Sequence, residues 1–284
     1  MTLTPPDPLP PEAARLDRSA RTMRTRFDGG TMPWRIWGEG PPLVLFHGGH
    51  GSWLHWLRNI EPLARHHRLV VPDLPGFGEA DALPAPGPGT LTRALLDGIG
   101  QLGLPRQFHL GAFSYGCTFA GEVQARVPER VRRLFLIGSW EIGRYHRLDD
   151  RLLCWQETAP GPGRDAIHRH NLAVLMLHDP ARIDETTIRM QSRNTLLTRK
   201  GISLTLEGTD LAARLRAALC PVTCLYGEQD ALTLGYLDER RRLIDRLAPG
   251  SGLHLLPETG HWAQYEAADE VNALILSRIA RDLA

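Results

Sequence analysis

The chain has 284 residues, enough to bury one sizeable core, and single α/β domains of about 250 residues are routine. Its formal net charge of +1 leaves no concentrated basic excess of the kind that nucleic acid or an anionic membrane would draw on. No apolar run approaches the roughly 18 residues of a membrane-spanning helix, so the expected partner is a small-molecule substrate, with neither nucleic acid nor membrane. A homo-oligomer is compatible with this composition. From the N-terminus, MTLTPPDPLPPEAARLDRS carries acids and prolines but no apolar signal region, and residues 1–20 are expected to form a flexible arm of a cytoplasmic protein. The cysteines Cys117, Cys154, Cys220 and Cys224 form no CxxC pair and read as free thiols, as a reducing cytoplasm would keep them.

Short apolar runs then alternate with longer amphipathic stretches. The runs are RIWG, PPLVLFHGG, HRLVVPDL, QFHLGAFS, VRRLFLIGS, PVTCLYGEQD and SGLHLLPET, and the stretches between them include 53–64, 90–102, 115–127, 234–247 and 263–283. This alternation predicts a mainly parallel sheet with helices on both faces. One interval breaks the rhythm: about 80 residues separate the runs ending near Ser139 and starting near Val222, far more than a usual connection. Its patterns are helical. A helical insert at the carboxyl end of a strand lies over the crevice where open α/β sheets bind ligands, so 141–208 is read as a cap, with 21–140 and 209–284 forming the core.

Four segments carry candidate chemistry. In QFHLGAFSYG an apolar run ends at Ala112-Phe113-Ser114-Tyr115-Gly116 and an amphipathic stretch follows at once, which is the setting of a nucleophile elbow with Ala112 in place of the usual first glycine. A strand-to-helix turn of this kind lifts the Ser114 hydroxyl to a helix N-terminus, where amide N–H groups favour developing negative charge. Upstream, LVLFHGGHGSW ends a run in His47-Gly48-Gly49, and glycines there let amides face a ligand; the N–H groups of Gly49 and Tyr115 are the candidate oxyanion donors. His47 is expected to hold that loop in shape. The HExxH pattern is absent, and neither a metal nor any other cofactor is expected. Asp230 in YGEQD and His261 in ETGHW each lie just beyond an apolar run. Serine needs a base to take its proton, and the base needs an acid to fix its tautomer. Glu141 is a second candidate for that acid. Asp73 in VVPDLPGFG is expected to hold the PGFG turn by accepting amide N–H groups.

With HGG at 47–49, PDLPGFGEAD at 72–81, AFSYG at 112–116, GEQD at 227–230 and GHW at 260–262, the sequence resembles the α/β-hydrolase superfamily from about Arg24 to its end. That resemblance implies a mostly parallel eight-stranded sheet with helices on both faces and a helical cap inserted after strand 6. It also implies a triad in the order Ser114, Asp230, His261. GHWAQYEAADEVNALI is closer to the meta-cleavage-product hydrolases, which cut carbon–carbon bonds in vinylogous diketone acids. In those enzymes a Trp after the catalytic His lines the pocket, as Trp262 would here, and a cap Arg holds the acidic substrate, a part for which Arg193, or Arg189, is the equivalent. The chain departs from them by having Phe113 rather than Asn before the nucleophile, and Gly49-His50-Gly51 rather than Gly-Pro-Gly. With Phe113 and His50 as substrate contacts, the expected reaction is hydrolysis of a small or medium carboxylic ester. Carbon–carbon hydrolysis is the alternative, and non-hydrolytic binding of a small molecule a third.

Overall fold

The computed structural model describes residues 7–199 and 209–282. The apolar runs become strands β1 (Arg21–Phe27), β2 (Gly30–Trp37), β3 (Pro42–Phe46), β4 (Arg68–Pro72), β5 (Phe108–Phe113), β6 (Val131–Ile137), β7 (Val222–Gly227) and β8 (Gly252–Leu256). They form one eight-stranded sheet in the order β1-β2-β4-β3-β5-β6-β7-β8. β2 pairs antiparallel with β1 and β4, and every other neighbouring pair is parallel. PLVLF in β3 and FHLGAF in β5 are buried throughout. Strands covered on both faces have no solvent side to signal with polar residues, which is why they read as unbroken runs.

The helices are α1 (Pro11–Ser19), α2 (Ile60–Ala64), α3 (Pro88–Gln101), α4 (Tyr115–Arg126), α5 (Pro162–Asn171), α6 (Glu185–Leu196), α7 (Leu211–Arg216), α8 (Leu237–Ile244), α9 (Ala263–Glu266) and α10 (Ala268–Arg281). They divide between two cores, one on each sheet face. Val44 and Phe46 of β3 pack with α3, α4 and α7, while Leu43 and Leu45 pack with α1, α2 and α10, the alternation that a strand imposes on successive side chains. No described helix is long and apolar enough to cross a membrane.

Within the arm expected over residues 1–20, Pro11–Ser19 form α1. Pro11 sits at the start of α1, where its missing N–H costs nothing and its fixed φ suits the helix. Ala13 and Leu16, one turn apart, are buried against the sheet, and the Trp37 indole N–H donates to the Leu16 carbonyl at 2.9 Å. A proline-rich composition concealed this short apolar stripe. Leu16→Ala is expected to lower unfolding free energy by about 2–4 kcal/mol, the range for truncating a buried leucine. Urea denaturation would measure it, and an effect below about 0.5 kcal/mol, the scale of ordinary surface substitutions, would mean that α1 is not docked in solution.

The stretch 53–64 begins as a 3-10 turn over Trp53–Trp56, set by the Ser52 hydroxyl accepting the Leu54 N–H, and only then becomes α2. The stretch 263–283 breaks at Ala267 into α9 and α10. Between β6 and β7, α5 continues into a π-helical turn over Leu172–Met176, and α6 packs beside α5. Leu172, Met176, Leu177, Ile188 and Met190 from this interval join the buried cluster that contains Phe113 and Trp262. The end of the interval read as a cap, 200–208, lies outside the described residues. α7 returns to the core and packs on α4, where a side chain at Gly121 would meet Leu211.

Candidate active site

Parallel strands β3, β5, β6, β7 and β8 bring their carboxyl ends to one edge, and the loops that leave them meet there. β5 stops at Phe113, Ser114 takes φ 49° and ψ −121°, and α4 begins at Tyr115. A non-glycine residue held in that region costs of order 1–3 kcal/mol and persists only where its surroundings enforce it. Here the Ser114 N–H donates to the Ile137 carbonyl at 2.8 Å, and the Ser114 carbonyl accepts the Cys117 N–H at 2.9 Å. Gly116 is required next to it: a Cβ there would lie 2.4 Å from the His47 carbonyl oxygen.

The loops after β7 and β8 supply the other two groups. Asp230 is wholly buried and His261 is 2% exposed. His261 Nδ1 donates to Asp230 Oδ2 at 2.9 Å, and its Nε2 lies 2.9 Å from Ser114 Oγ. With Nδ1–H committed to the carboxylate, Nε2 is left as the acceptor for the serine proton. The second carboxylate oxygen, Oδ1, accepts the Leu232 N–H at 2.9 Å. Gly138, just past β6, leaves room for the imidazole at that strand end; a Cβ there would come within 2.9 Å of His261 Cε1. Glu266 holds the His261 loop by accepting the Gly260 N–H at 2.7 Å, and the same carboxylate accepts the His178 and Asp179 amides. The Trp262 N–H donates to the Met176 carbonyl at 2.7 Å. The loop bearing His261 is thereby bound to the helical interval between β6 and β7.

On the other side of Ser114, His47 donates from Nδ1 to the Gly48 carbonyl at 2.7 Å and accepts the Leu74 N–H on Nε2 at 2.9 Å. Burial draws its pKa below the ordinary histidine value, which keeps the neutral ring that one donor and one acceptor role require. The Gly48 N–H is taken by His55 Nδ1 at 3.2 Å. Gly49 follows, half-buried. Tyr115 offers its N–H at the first position of α4, where no intrahelical acceptor exists. Its side chain packs edge-on to Phe77 and Phe119.

The remaining candidates fall in several places. Phe113 is buried with its ring 5.0 Å from His261 and 5.2 Å from His55. His50 is exposed, with φ 48°, and stands edge-on to Phe77 at 6.4 Å. Trp262, expected as a pocket wall, is 1% exposed and lies in the same buried cluster as Phe113. It stacks on Tyr265 at 4.4 Å and donates its indole N–H to the His55 carbonyl at 2.9 Å. Arg193, expected to face substrate, turns the other way, donating to the Asp7 carbonyl at 2.8 Å with Glu79 3.8 Å away. Successive helix residues point about 100° apart, and in α6 it is the neighbour Asn194 that turns inward, accepting the Ser52 hydroxyl at 2.7 Å. Arg189 is half-exposed and pairs with Glu185.

Glu141 does not reach the histidine. Its carboxylate accepts from Thr118 and Thr209, and burial pushes its pKa up to about 6. Asp73 accepts the Glu79 and Trp53 amides, each at 3.0 Å, and pairs with buried Arg35, so it holds the turn after β4 as the sequence predicts. Among the described residues, no group of three or more His, Cys, Asp or Glu side chains is arranged to hold a metal ion. Sequence reading passed over His55, Asn194 and Glu266. Glu266 carried a weak sign, an acid opening a helical stretch, but His55 and Asn194 sit in helical turns with nothing local to mark them.

Two curated relatives align along most of the chain. One, from Klebsiella pneumoniae subsp. pneumoniae, is a 2-hydroxy-6-oxononadienedioate/2-hydroxy-6-oxononatrienedioate hydrolase, 28% identical over 94% of this chain and 94% of its own. The other, from Burkholderia cepacia, is a 2-hydroxy-6-oxo-6-phenylhexa-2,4-dienoate hydrolase, 28% identical over 86% of this chain and 89% of its own. Among solved structures, carboxylesterase CesB from Bacillus subtilis superposes with a TM-score of 0.78 at 19% identity, covering 94% of this chain and 96% of that one. The meta-cleavage product hydrolase CumD from Pseudomonas fluorescens IP01 gives 0.76 at 20% identity, covering 91% and 97%. These two likenesses concern the fold. The family profile described as alpha/beta hydrolase fold matches residues 41–268, from the start of β3 into α10, and with that span the chain belongs to the α/β-hydrolase fold family.

Proposed function

We propose that this protein is a serine hydrolase that cleaves a small or medium carboxylic ester through an acyl-enzyme. The observation that carries the reading is the unbroken chain from Asp230 through His261 to Ser114, with both links at 2.9 Å. In this reading Ser114 attacks the ester carbonyl while His261 Nε2 takes the hydroxyl proton and the Asp230 carboxylate stabilises the resulting imidazolium. The Gly49 and Tyr115 amides receive the oxyanion, one such donor contributing around 3 kcal/mol in comparable sites. His261 then protonates the leaving alcohol and activates the water that hydrolyses the acyl-enzyme. Residues 141–208 act as a cap; Leu172 and Met176, clustered with Phe113, support that role. The free thiols, three of them buried, fit a cytoplasmic location.

Ester cleavage is favoured over carbon–carbon cleavage by two side chains. Phe113, next to the nucleophile, presents a hydrocarbon ring held between His55 and His261. Arg193 is committed to Asp7 and Glu79. Neither offers the polar contact that an enolic acid substrate requires. The second reading, hydrolysis of a vinylogous diketone acid, is favoured by the names of the two curated relatives.

The test pairs a fluorophosphonate probe with two substrate types. Ser114 is expected to be labelled, and p-nitrophenyl acetate and butyrate to be turned over faster than a 2-hydroxy-6-oxo-dienoic acid. Faster cleavage of the dienoic acid would replace the first reading by the second. An unlabelled Ser114 with neither substrate consumed would identify a small-molecule binder.

A further inference from the structure

Gly48, in the loop after β3, is gripped on both of its peptide units. Its N–H donates to His55 Nδ1, and its carbonyl accepts from His47 Nδ1. The first bond fixes the plane of the 47–48 peptide and the second that of the 48–49 peptide. Glycine has the freest backbone of any residue, so without these two anchors the unit between them could rotate. The Gly48 carbonyl and the Gly49 N–H belong to the same planar trans peptide and point in opposite directions. Anchoring the carbonyl on His47 therefore aims the Gly49 N–H away from His47, and anchoring the preceding plane on His55 keeps it there.

His55 is built into this place. It is 2% exposed, and its ring stands edge-on to Phe113 and Trp262 at 5.2 Å each. The loop wraps the ring so closely that a Cβ at Gly51 would lie 2.2 Å from its Cε1 and 2.4 Å from its Nδ1. Burial foremost, and then the neighbouring His47, His261 and His50, hold its pKa well below the ordinary value, so Nδ1 keeps the lone pair that the Gly48 N–H needs. Its main-chain carbonyl, meanwhile, accepts the Trp262 indole and the Gln264 amide at 2.9 and 3.3 Å. One residue thus touches both the loop after β3 and the segment following His261.

We propose that His55 is a positioning residue for the oxyanion hole: its ring orients the Gly49 N–H toward the carbonyl attacked by Ser114, and its carbonyl ties that loop to the one bearing His261. The proposal rests on the serine-hydrolase reading above and adds a residue that acts through the peptide units of Gly48.

Two variants separate the acceptor role from mere filling of space. Leu in His55→Leu fills much of the volume but accepts nothing, whereas Asn in His55→Asn keeps an acceptor oxygen near the Nδ1 position. On p-nitrophenyl butyrate, His55→Leu is expected to lose about 100-fold in kcat with KM changed less than about threefold, as for loss of one oxyanion donor. Phenylboronic acid, which places an oxygen where the oxyanion would lie, should bind that variant more weakly by a similar factor. His55→Asn should recover kcat to within about tenfold of the wild type. Leucine and asparagine variants falling equally would overturn the acceptor role, and a leucine variant with wild-type kcat and boronate affinity would overturn the whole proposal. Failure of fluorophosphonate to label the wild-type protein would overturn the hydrolase reading first, and this proposal with it.

Discussion

Ser114→Ala is expected to lower kcat for a p-nitrophenyl ester by on the order of 10⁵-fold, with KM held within about threefold, because it removes the nucleophile and little else. The substitution keeps the Cβ, so the contacts of the elbow, including the Cys117 N–H on the Ser114 carbonyl, remain. A companion variant reads the backbone itself. Ser114 is held at φ 49°, where a side chain is strained and glycine is not. Ser114→Gly is therefore expected to be as inactive as the alanine variant yet more stable than the wild type by about 1 kcal/mol. Thermal unfolding of the three proteins measures this. A glycine variant less stable than the wild type would mean that the elbow stores no strain, and an alanine variant retaining a tenth of the activity would remove Ser114 from the chemistry.

What the sequence made legible follows from how local each signal is. The strands of the central sheet are buried on both faces and appear as apolar runs, so β3 to β7 could be read with their termini nearly right. Because the chemistry of this sheet gathers at strand ends, Ser114, Asp230 and His261 could be named from what precedes them. Their meeting depends on the order of β5, β7 and β8 in space, which no local pattern states. The helix α1 was hidden because its stripe is only Ala13 and Leu16, set in a proline-rich context. Arg193 departs from expectation for a different reason: its place follows from resemblance, and the side-chain direction that resemblance assumes is decided by tertiary partners, here Asp7 and Glu79. His55 was invisible because its importance lies in two bonds, one to Gly48 and one from Trp262, and the second spans more than 200 residues.

Asp230→Asn is expected to reduce kcat by about 10⁴-fold, through a tautomer rather than through lost shape. An asparagine side chain has one acceptor oxygen and one donor nitrogen, and the site decides which way it sits. The Leu232 N–H already donates to Oδ1, so the amide oxygen must take that position. The NH₂ group is then left facing His261 Nδ1 and donates where the carboxylate accepted. His261 responds by carrying its proton on Nε2, and a protonated Nε2 cannot accept the proton of Ser114. Stability should change far less than activity, since no atom is removed from the buried site. Glu141 supplies the control. It lies after β6 and is held by Thr118 and Thr209, so Glu141→Gln should leave kcat within about threefold of the wild type, as for a group outside the reacting chain. Sustained turnover in Asp230→Asn together with collapse in Glu141→Gln would move the acid's role from the loop after β7 to the loop after β6. The imidazole would then have to turn away from the carboxylate it faces at 2.9 Å.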